Sequence, residues 1–348
     1  MVDSRSRVVT LGEIMLRLSP PGQQRFVQAA IFDVQYGGGE ANVAASLAGF
    51  GLSAVFVSRI PANPIGDAAV ASMRKLGVDT RAIVRGGERL GIYFLEIGAA
   101  QRGSLVVYDR AGSALASIER GVVDWSRVFE GADWFHWTGI TPAISRGAAD
   151  VVDEALEVAR KAGVTVSCDL NFRAKLWKWG SEAREVMPSL VERCDIIIGN
   201  EEDAERVFGI RAQHADVTGG QIAAEEYRQV ADELLEKFPG CRGVAITLRT
   251  SLGASHNRWS SVFRDRDAFY QASEYDILPI VDRVGGGDSF AAGLIYGLTT
   301  HGDNPQRALE FATAASCLKH SIPGDVNLVS VAEVEKLAGG DRSGRVAR

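Results

Sequence analysis

A chain of 348 residues, 46% hydrophobic and 24% charged, has a globular composition and the length for one large α/β domain or two smaller ones. Its formal charge of -6, with no Lys/Arg cluster interleaved with aromatics, argues against a nucleic-acid partner. No apolar run reaches membrane-spanning length, "MVDSRSRVVTLGEI" lacks a signal-peptide core, and the scattered Cys168, Cys194, Cys241 and Cys317 form no CxxC pair; the expectation is a cytoplasmic protein, not bound to membrane, with reduced thiols.

In chain order, "RVVTLGE" (7–13) reads as a first buried strand. "LRLSPPGQQRFVQAAIFDVQYGG" (16–38) alternates apolar and polar residues and carries turn signals, as antiparallel strands do. "YGGGEANVAASLAGFG" (36–51) opens a helix on glycines, "AVFVSRI" (54–60) is a second buried strand, and "RLGIYFLEIGAAQRGSLVVYDRAG" (89–112) alternates again. "DWFHWTG" (133–139), "VTVSCDLN" (164–171), "CDIIIGN" (194–200) and "GVAITL" (243–248) are further apolar runs, separated by amphipathic stretches such as "AADVVDEALEVARKAG" (148–163) and "EEYRQVADELLEKF" (225–238). The pattern predicts an α/β protein with a mostly parallel central sheet flanked by helices on both faces. The alternating segments, about 14–36 and 88–112, predict a small antiparallel β lid over a site. A half-exposed sheet of that kind suits pairing with a second copy, so a homo-oligomer through the lid is expected. His136 reads as a packed strand residue. The domain is expected over 1–338, with 339–348 as a flexible tail.

Polar residues close several of these runs: Glu13, Asp169 with Asn171, Asn200 and Thr247. In open α/β sheets ligands bind beyond the carboxyl ends of the strands, so together they read as a site. "DRVGGGDSF" (282–290) then places three glycines before an aspartate, at the start of the helical "SFAAGLIYGL". Glycines cost backbone entropy and make sense where something must approach the main chain closely. A helix N-terminus of this kind suits an anion. A fixed carboxylate there repels a phosphate, unless the anion is transient and Asp288 serves to take a proton. GxxxxGK[ST], GxGxxG and GxSxG are all missing, which disfavours a Walker ATPase, a nicotinamide oxidoreductase and an α/β-hydrolase. Gly38, Gly39 and Asn42 in the first glycine motif suit a polyhydroxylated ligand, or else tight helix–strand packing.

The paired glycine motifs resemble the two signatures of the ribokinase-like sugar kinases, the PfkB carbohydrate kinase family. The resemblance runs from "VVTLGE" to "SIPGDVNLVS", with matches at "GDAA" (66–69), "LGVDT" (76–80), "DLNFR" (169–173), "GNEEDA" (199–204) and "ITL" (246–248). It implies an ATP- and Mg²⁺-dependent kinase in which Asp288 is the general base and Gly285, Gly286 and Gly287 form the anion hole. The family's usual run is Asp-Thr-Thr-Gly-Ala-Gly-Asp; here Arg283 and Val284 precede Gly285, and Gly286 replaces alanine. Arg283 either adds a cation near the phosphates or points to solvent. By the same resemblance Glu202 or Asp203 serves the metal, although acids at a helix N-terminus are the plainer reading. Candidate nucleotide contacts are Asn171, Arg173, Asn200, Thr247, Arg249, Ser251, Gly253 and Asn327.

Neutral-furanose kinases of the family commonly carry an aspartate five residues after the glycine of the first strand; here Arg17 stands there. Arg17, Arg110 and Arg173, arginines from separate segments, suit a carboxylate. Tyr93, Tyr108 with Arg110, and Arg173 resemble the lid Tyr, Tyr-x-Arg and Asn-x-Arg that play this part in 2-keto-3-deoxygluconate kinases, and "IPGDVN" adds Asp325 for the distal hydroxyls. Exposed strand arginines and lid packing are the alternatives for Arg17, Arg110, Tyr93 and Tyr108. The expected activity is phosphorylation of 2-keto-3-deoxygluconate at its primary hydroxyl. A fructokinase or ribokinase type acting on a neutral sugar, and a non-catalytic sugar- or nucleotide-binding regulator, stay open.

Overall fold

Short apolar segments ending in polar residues form the strands of one large sheet in the computed structural model, which describes residues 5–200, 202–211 and 224–344. The chain begins β1 (Arg7–Leu11), β2 (Met15–Ser19), β3 (Asp33–Gly37), α1 (Gly39–Gly49), β4 (Ser53–Ile60), α2 (Pro64–Lys75), β5 (Ile83–Arg85), β6 (Gly91–Glu96) and β7 (Leu105–Asp109). It continues through α3 (Trp125–Val128), β8 (Trp134–Thr138), α4 (Ile140–Ile144), α5 (Arg146–Ala162), β9 (Thr165–Asp169), α6 (Ala183–Val191), β10 (Ile196–Asn200), α7 (Asp203–Phe208) and α8 (Ala224–Lys237). The last elements are β11 (Gly243–Gly253), β12 (His256–Asp265), β13 (Phe269–Gln271), β14 (Tyr275–Ile277), α9 (Gly286–Thr300), α10 (Pro305–Lys319) and α11 (Val331–Ala338).

The large sheet has the order β13-β12-β11-β10-β9-β8-β1-β4-β5, with β14 paired to β12. Every neighbouring pair from β11 to β5 is parallel, and the β11–β12 hairpin adds an antiparallel edge. Helices cover both faces: α3, α5, α6, α7 and α8 pack on one, α1, α2, α9, α10 and α11 on the other. Burial on both sides explains why β8 reads as the unbroken apolar run it does. His136 within it is fully buried, and desolvation pushes its imidazole down to about 3, so the ring is neutral. Its Nδ1 lies 2.8 Å from Ser167 Oγ on the next strand. It is a packed strand residue.

α5 shows how local signals set an element. Ser145 Oγ accepts from the Ala148 amide at 3.1 Å, and Gly163 closes the helix in the left-handed conformation at φ 71°. Between these ends Val151, Val152, Ala155, Leu156 and Ala159 are buried on one face.

The small sheet has the order β3-β2-β6-β7. β2–β3 and β6–β7 are antiparallel pairs, and β2 joins β6 in parallel. Its inner face carries a small apolar cluster of Met15, Tyr93 and Leu95 against Val284. Residues 339–344 after α11 are exposed, and residues 345–348 of the expected tail lie outside the described residues. No helix among the described residues is long and apolar enough to cross a membrane.

Candidate active site

The carboxyl ends of the parallel strands, the N-termini of α1 and α9 and the inner face of the lid enclose a cleft of about 400 Å³. Glu13 after β1, Asp169 at the end of β9 and Asn171 just beyond it, Asn200 on β10 and Thr247 on β11 all line it, so the polar strand ends do converge. Asn171 holds a positive φ of 38°, a conformation that asparagine tolerates better than most residues other than glycine. The Asp169 carboxyl is raised well above the usual range, first by burial and then by the nearby Asp203 and Asp288.

The glycine turn forms the floor. Gly285 caps α9 at φ 83°, and a Cβ there would lie 1.9 Å from the Asp325 carbonyl oxygen. No side chain caps this helix, and a Cβ on Gly287 would meet nothing within 4 Å. The turn therefore presents backbone and open space together, as an approaching anion needs. Asp288, in the first turn, accepts from Asn42 Nδ2 at 2.7 Å. Desolvation pushes its carboxyl up to about 6, against the opposing Asn42 hydrogen bond. The N-terminus of α1 lies alongside, since a Cβ on Gly39 would be 3.7 Å from Asp288 Oδ1. Gly38 is required for another contact: a Cβ there would strike the Glu13 carbonyl oxygen at 1.8 Å. Glu40 follows, with its Oε1 accepting from the Thr138 amide and from the Thr138 and Thr141 hydroxyls at 2.7–3.1 Å. Burial pushes it up to about 7.

On the lid side Tyr93, Tyr108 and Arg110 face the cleft. The Tyr93 hydroxyl donates to Asp325, and Arg110 pairs with Glu13. Among the described residues Glu13 Oε1 and Arg110 Nε are buried without a hydrogen-bond partner. Both residues line the cleft, but these two atoms are shut off from solvent, so a polar ligand would reach them only if the pair rearranged. Arg110 also lies 5.7 Å over the Tyr108 ring.

Arg173, Arg249, Thr247 and Asn200 also line the cleft. Asn200 Oδ1 accepts from the Glu202 and Asp203 amides at 2.8 and 3.1 Å, and residue 201 between them and Asn200 lies outside the described residues. Asp203 turns both oxygens inward, accepting from the Phe172 and Asn200 amides at 3.0 Å each, and so fastens the β9 and β10 ends together. Glu202 is exposed beside Arg173 in an adjoining pocket. No group of three or more His, Cys, Asp or Glu that could hold a metal occurs among the described residues. Mg²⁺ at a phosphoryl site takes most of its ligands from phosphate and water, so one or two nearby acids fit it.

Four expected site residues are placed elsewhere. Arg17 is 2% exposed and does not line the cleft; its Nη2 donates to Asp282 at 2.6 Å, its Nη1 to Asp325 at 2.5 Å and its Nε to Ser19 at 2.9 Å. Three of its five N–H groups are engaged inside the protein, and the structure does not bring it among the residues that line the cleft. Ser251 and Gly253 lie at the far end of the β11–β12 hairpin, where the chain continues as strand instead of looping beneath a ligand. Asn327 is buried against α10, its Nδ2 donating to the Ala315 carbonyl at 3.4 Å and its Oδ1 accepting from the Val329 amide at 3.2 Å. Arg283, left open between two roles, donates to the Gly253 and Ala254 carbonyls at 3.1 and 2.7 Å and ties that hairpin to the turn. Glu40 and the pairing of Glu13 with Arg110 were not anticipated; the acid following three glycines was the available signal for Glu40.

The whole chain, and not the site alone, has counterparts. It is 32% identical over 339 residues to the 2-dehydro-3-deoxygalactonokinase of Haloferax volcanii, covering 97% of this chain and 98% of the other. It is 31% identical over 338 residues to the 2-dehydro-3-deoxygluconokinase of Thermoproteus tenax, covering 95% and 93%. The crystal structure of 2-dehydro-3-deoxygluconokinase from Thermotoga maritima superposes with a TM-score of 0.91 at 51% identity, covering 97% of this chain and 100% of that one. Residues 5–330 match the model of the pfkB family carbohydrate kinases, so both glycine motifs and every strand end described above fall inside the match, and the chain belongs to that family.

Proposed function

We propose that the protein transfers the γ-phosphoryl group of ATP to the primary hydroxyl of 2-keto-3-deoxygluconate, giving 2-keto-3-deoxy-6-phosphogluconate and ADP. The observation that carries this is Asp288, poised by Asn42 at the uncapped N-terminus of α9 and sharing one cleft with Arg110 and Tyr93. The names of the relatives point to keto-deoxy sugar acids.

In this reading Asp288 accepts the hydroxyl proton as the sugar oxygen attacks the γ-phosphorus, and the bond to the β,γ-bridging oxygen breaks to release ADP. Gly285, Gly286 and Gly287 offer backbone N–H groups to the transferring phosphoryl. Arg110 and Arg173 receive the substrate carboxylate, and Arg173 also reaches the phosphates. Tyr93 and Tyr108 join Arg110 at the carboxylate, and Asp325, Gly38, Gly39 and Asn42 bind the hydroxyls. Asn171, Asn200, Thr247 and Arg249 contact the nucleotide. Glu202 or Asp203 would hold Mg²⁺, largely through water, and the ion would screen charge on the phosphates. The lid excludes water and so limits ATP hydrolysis.

The lid has a second use. Its outer face carries Val34, Leu18, Phe94 and Val107 in one cross-strand row and Tyr36, Leu16 and Ile92 in the next. Val34 is 59% and Val107 47% exposed, and the face belongs against a second copy of the chain. Light scattering on Val107→Glu against the parent protein tests it; an unchanged mass would overturn the lid interface.

A coupled ADP-release assay with ATP and Mg²⁺ tests the activity, comparing 2-keto-3-deoxygluconate, its galactonate epimer, fructose and ribose. Turnover confined to the keto acids supports the proposal. Turnover on a neutral sugar alone overturns the substrate and keeps the family.

A further inference from the structure

Lys319, the last residue of α10, is fully buried. Its Nζ donates to the carbonyl oxygens of Asp282 and Ile322, each at 3.2 Å. One acceptor opens the glycine turn and the other belongs to the 320–325 loop, so a single ammonium joins the two. The turn rests on this group: a Cβ on Gly285 would lie 3.3 Å from Lys319 Cε and 1.9 Å from the Asp325 carbonyl oxygen.

An ammonium in such a place is costly unless it is paired. Burial pulls Lys319 below the ordinary lysine range, and the carboxylates of Asp282 and Asp325 oppose that pull. Arg17 bonds the same two carboxylates. Two cations and two anions therefore sit beneath the turn with no formal charge in sum. Asp282 is bonded further to the Val284 and Gly324 amides at 3.0 Å each, which draws the turn and the loop onto the same cluster. Nothing in the proton transfer assigned to Asp288 needs Lys319, yet its charge is also felt at Asp288.

We propose that Lys319 is the positioning residue of the anion hole: its ammonium fixes the Asp282 and Ile322 carbonyls, holds the Gly285–Asp288 amides in the geometry that receives the transferring phosphoryl, and places positive charge beneath it. The role rests on the phosphoryl-transfer reading above. Donors to a developing anion work only when their positions are set before reaction, and a buried charge acts there with little screening. Removing the ammonium leaves the carbonyl that opens the turn and the one in the adjoining loop without this donor.

The test compares Lys319→Met and Lys319→Gln with the parent enzyme. The methionine variant is expected to lose about 10²-fold in kcat, the scale of one lost anion-hole donor, with the sugar KM nearly unchanged. Ammonium or methylammonium, entering the vacated seat, restores a large part of that loss; tetramethylammonium at equal ionic strength, too large for it, does not. The glutamine variant keeps a hydrogen-bond donor without the charge and falls between the two, and it decides the matter should the methionine variant not fold. Amide hydrogen exchange over 284–289 reads the positioning independently of activity and is expected to quicken about tenfold or more in Lys319→Met, a local opening confined to the turn. A folded variant within twofold of the parent kcat, a loss that no small ammonium ion restores, or turn amides that exchange as in the parent would each overturn the proposal. A parent enzyme that phosphorylates none of the keto acids overturns the functional reading instead, and the exchange measurement still decides the role of Lys319 in the turn.

Discussion

Asn42 donates its side-chain N–H to Asp288 Oδ2 at 2.7 Å, across 246 positions of sequence. The bond joins the N-terminal turns of α1 and α9, the two glycine-rich segments of the chain. It orients the carboxylate and occupies one oxygen, so the other, nearest Gly39, is left to meet a hydroxyl. Asp288→Asn keeps the shape and removes the basicity. It is expected to lower kcat by roughly 10²–10⁴-fold with nucleotide binding little altered. Steady-state kinetics beside calorimetric ATP titration measures both quantities, and a near-normal kcat would remove Asp288 from the mechanism.

The pH profile carries a separate expectation. A base acts in its deprotonated form, and desolvation raises the Asp288 carboxyl to about 6. The kcat/KM profile should therefore fall as pH drops through about 6 and level off above it. The Asn42 bond favours the charged carboxylate, so Asn42→Ala should move the inflection upward. An unmoved inflection in that variant would assign the titration to another group.

Arg17 and Arg110 look alike in sequence and differ in place. Arg17 is locked between Asp282 and Asp325, and those carboxylates outweigh the burial that would otherwise pull its guanidinium down. Arg17→Met leaves two buried acids short of a cation and is expected to destabilise the fold by roughly 3–5 kcal/mol. Arg110 lines the cleft, so Arg110→Ala should raise KM for the keto acid about tenfold or more. It also strips the buried Glu13 of its cation, so some loss of stability accompanies it, and the rise in KM is what sets it apart from Arg17→Met. Thermal melts and initial rates on both variants separate the roles. A stable Arg17→Met with a raised KM would return Arg17 to the substrate site.

That contrast also marks where sequence ceases to inform. The strand ends were readable because an apolar run that stops at Asp169 or Asn200 carries its signal within a few residues. The turn was readable because three glycines before Asp288 have few other uses. Arg17 takes its meaning from Asp282 and Asp325, 265 and 308 positions away, and no local pattern encodes those partners. The parallel pairing of β2 with β6 is hidden for the same reason, since alternation shows a half-buried strand and not its neighbour. Ser251 and Gly253 are nucleotide contacts only by the family resemblance, and pairing with β12 carries the strand through them. Asn327 has the composition of a ligand contact; its amide is consumed in holding the C-terminal segment to α10.

Glu40 offers a test of the site through stability alone. Burial raises its carboxyl from 4.5 to about 7, against three hydrogen bonds that favour the charged form. Between those values the folded state binds the proton more tightly than the unfolded chain, so Glu40 lowers stability progressively as pH rises from 4.5 to about 7. Below that window the residue is protonated in both states and carries no such cost. Glu40→Gln removes the charge while its side-chain oxygen can still accept from Thr138 and Thr141. The variant is expected to match the parent near pH 4 and to exceed it near pH 8 by roughly 2–3 kcal/mol. Denaturant unfolding at the two pH values measures the difference. Equal stability at both would mean that Glu40 ionises in the fold as easily as in the unfolded chain, and that the cleft beside Asp288 is better solvated than its burial implies.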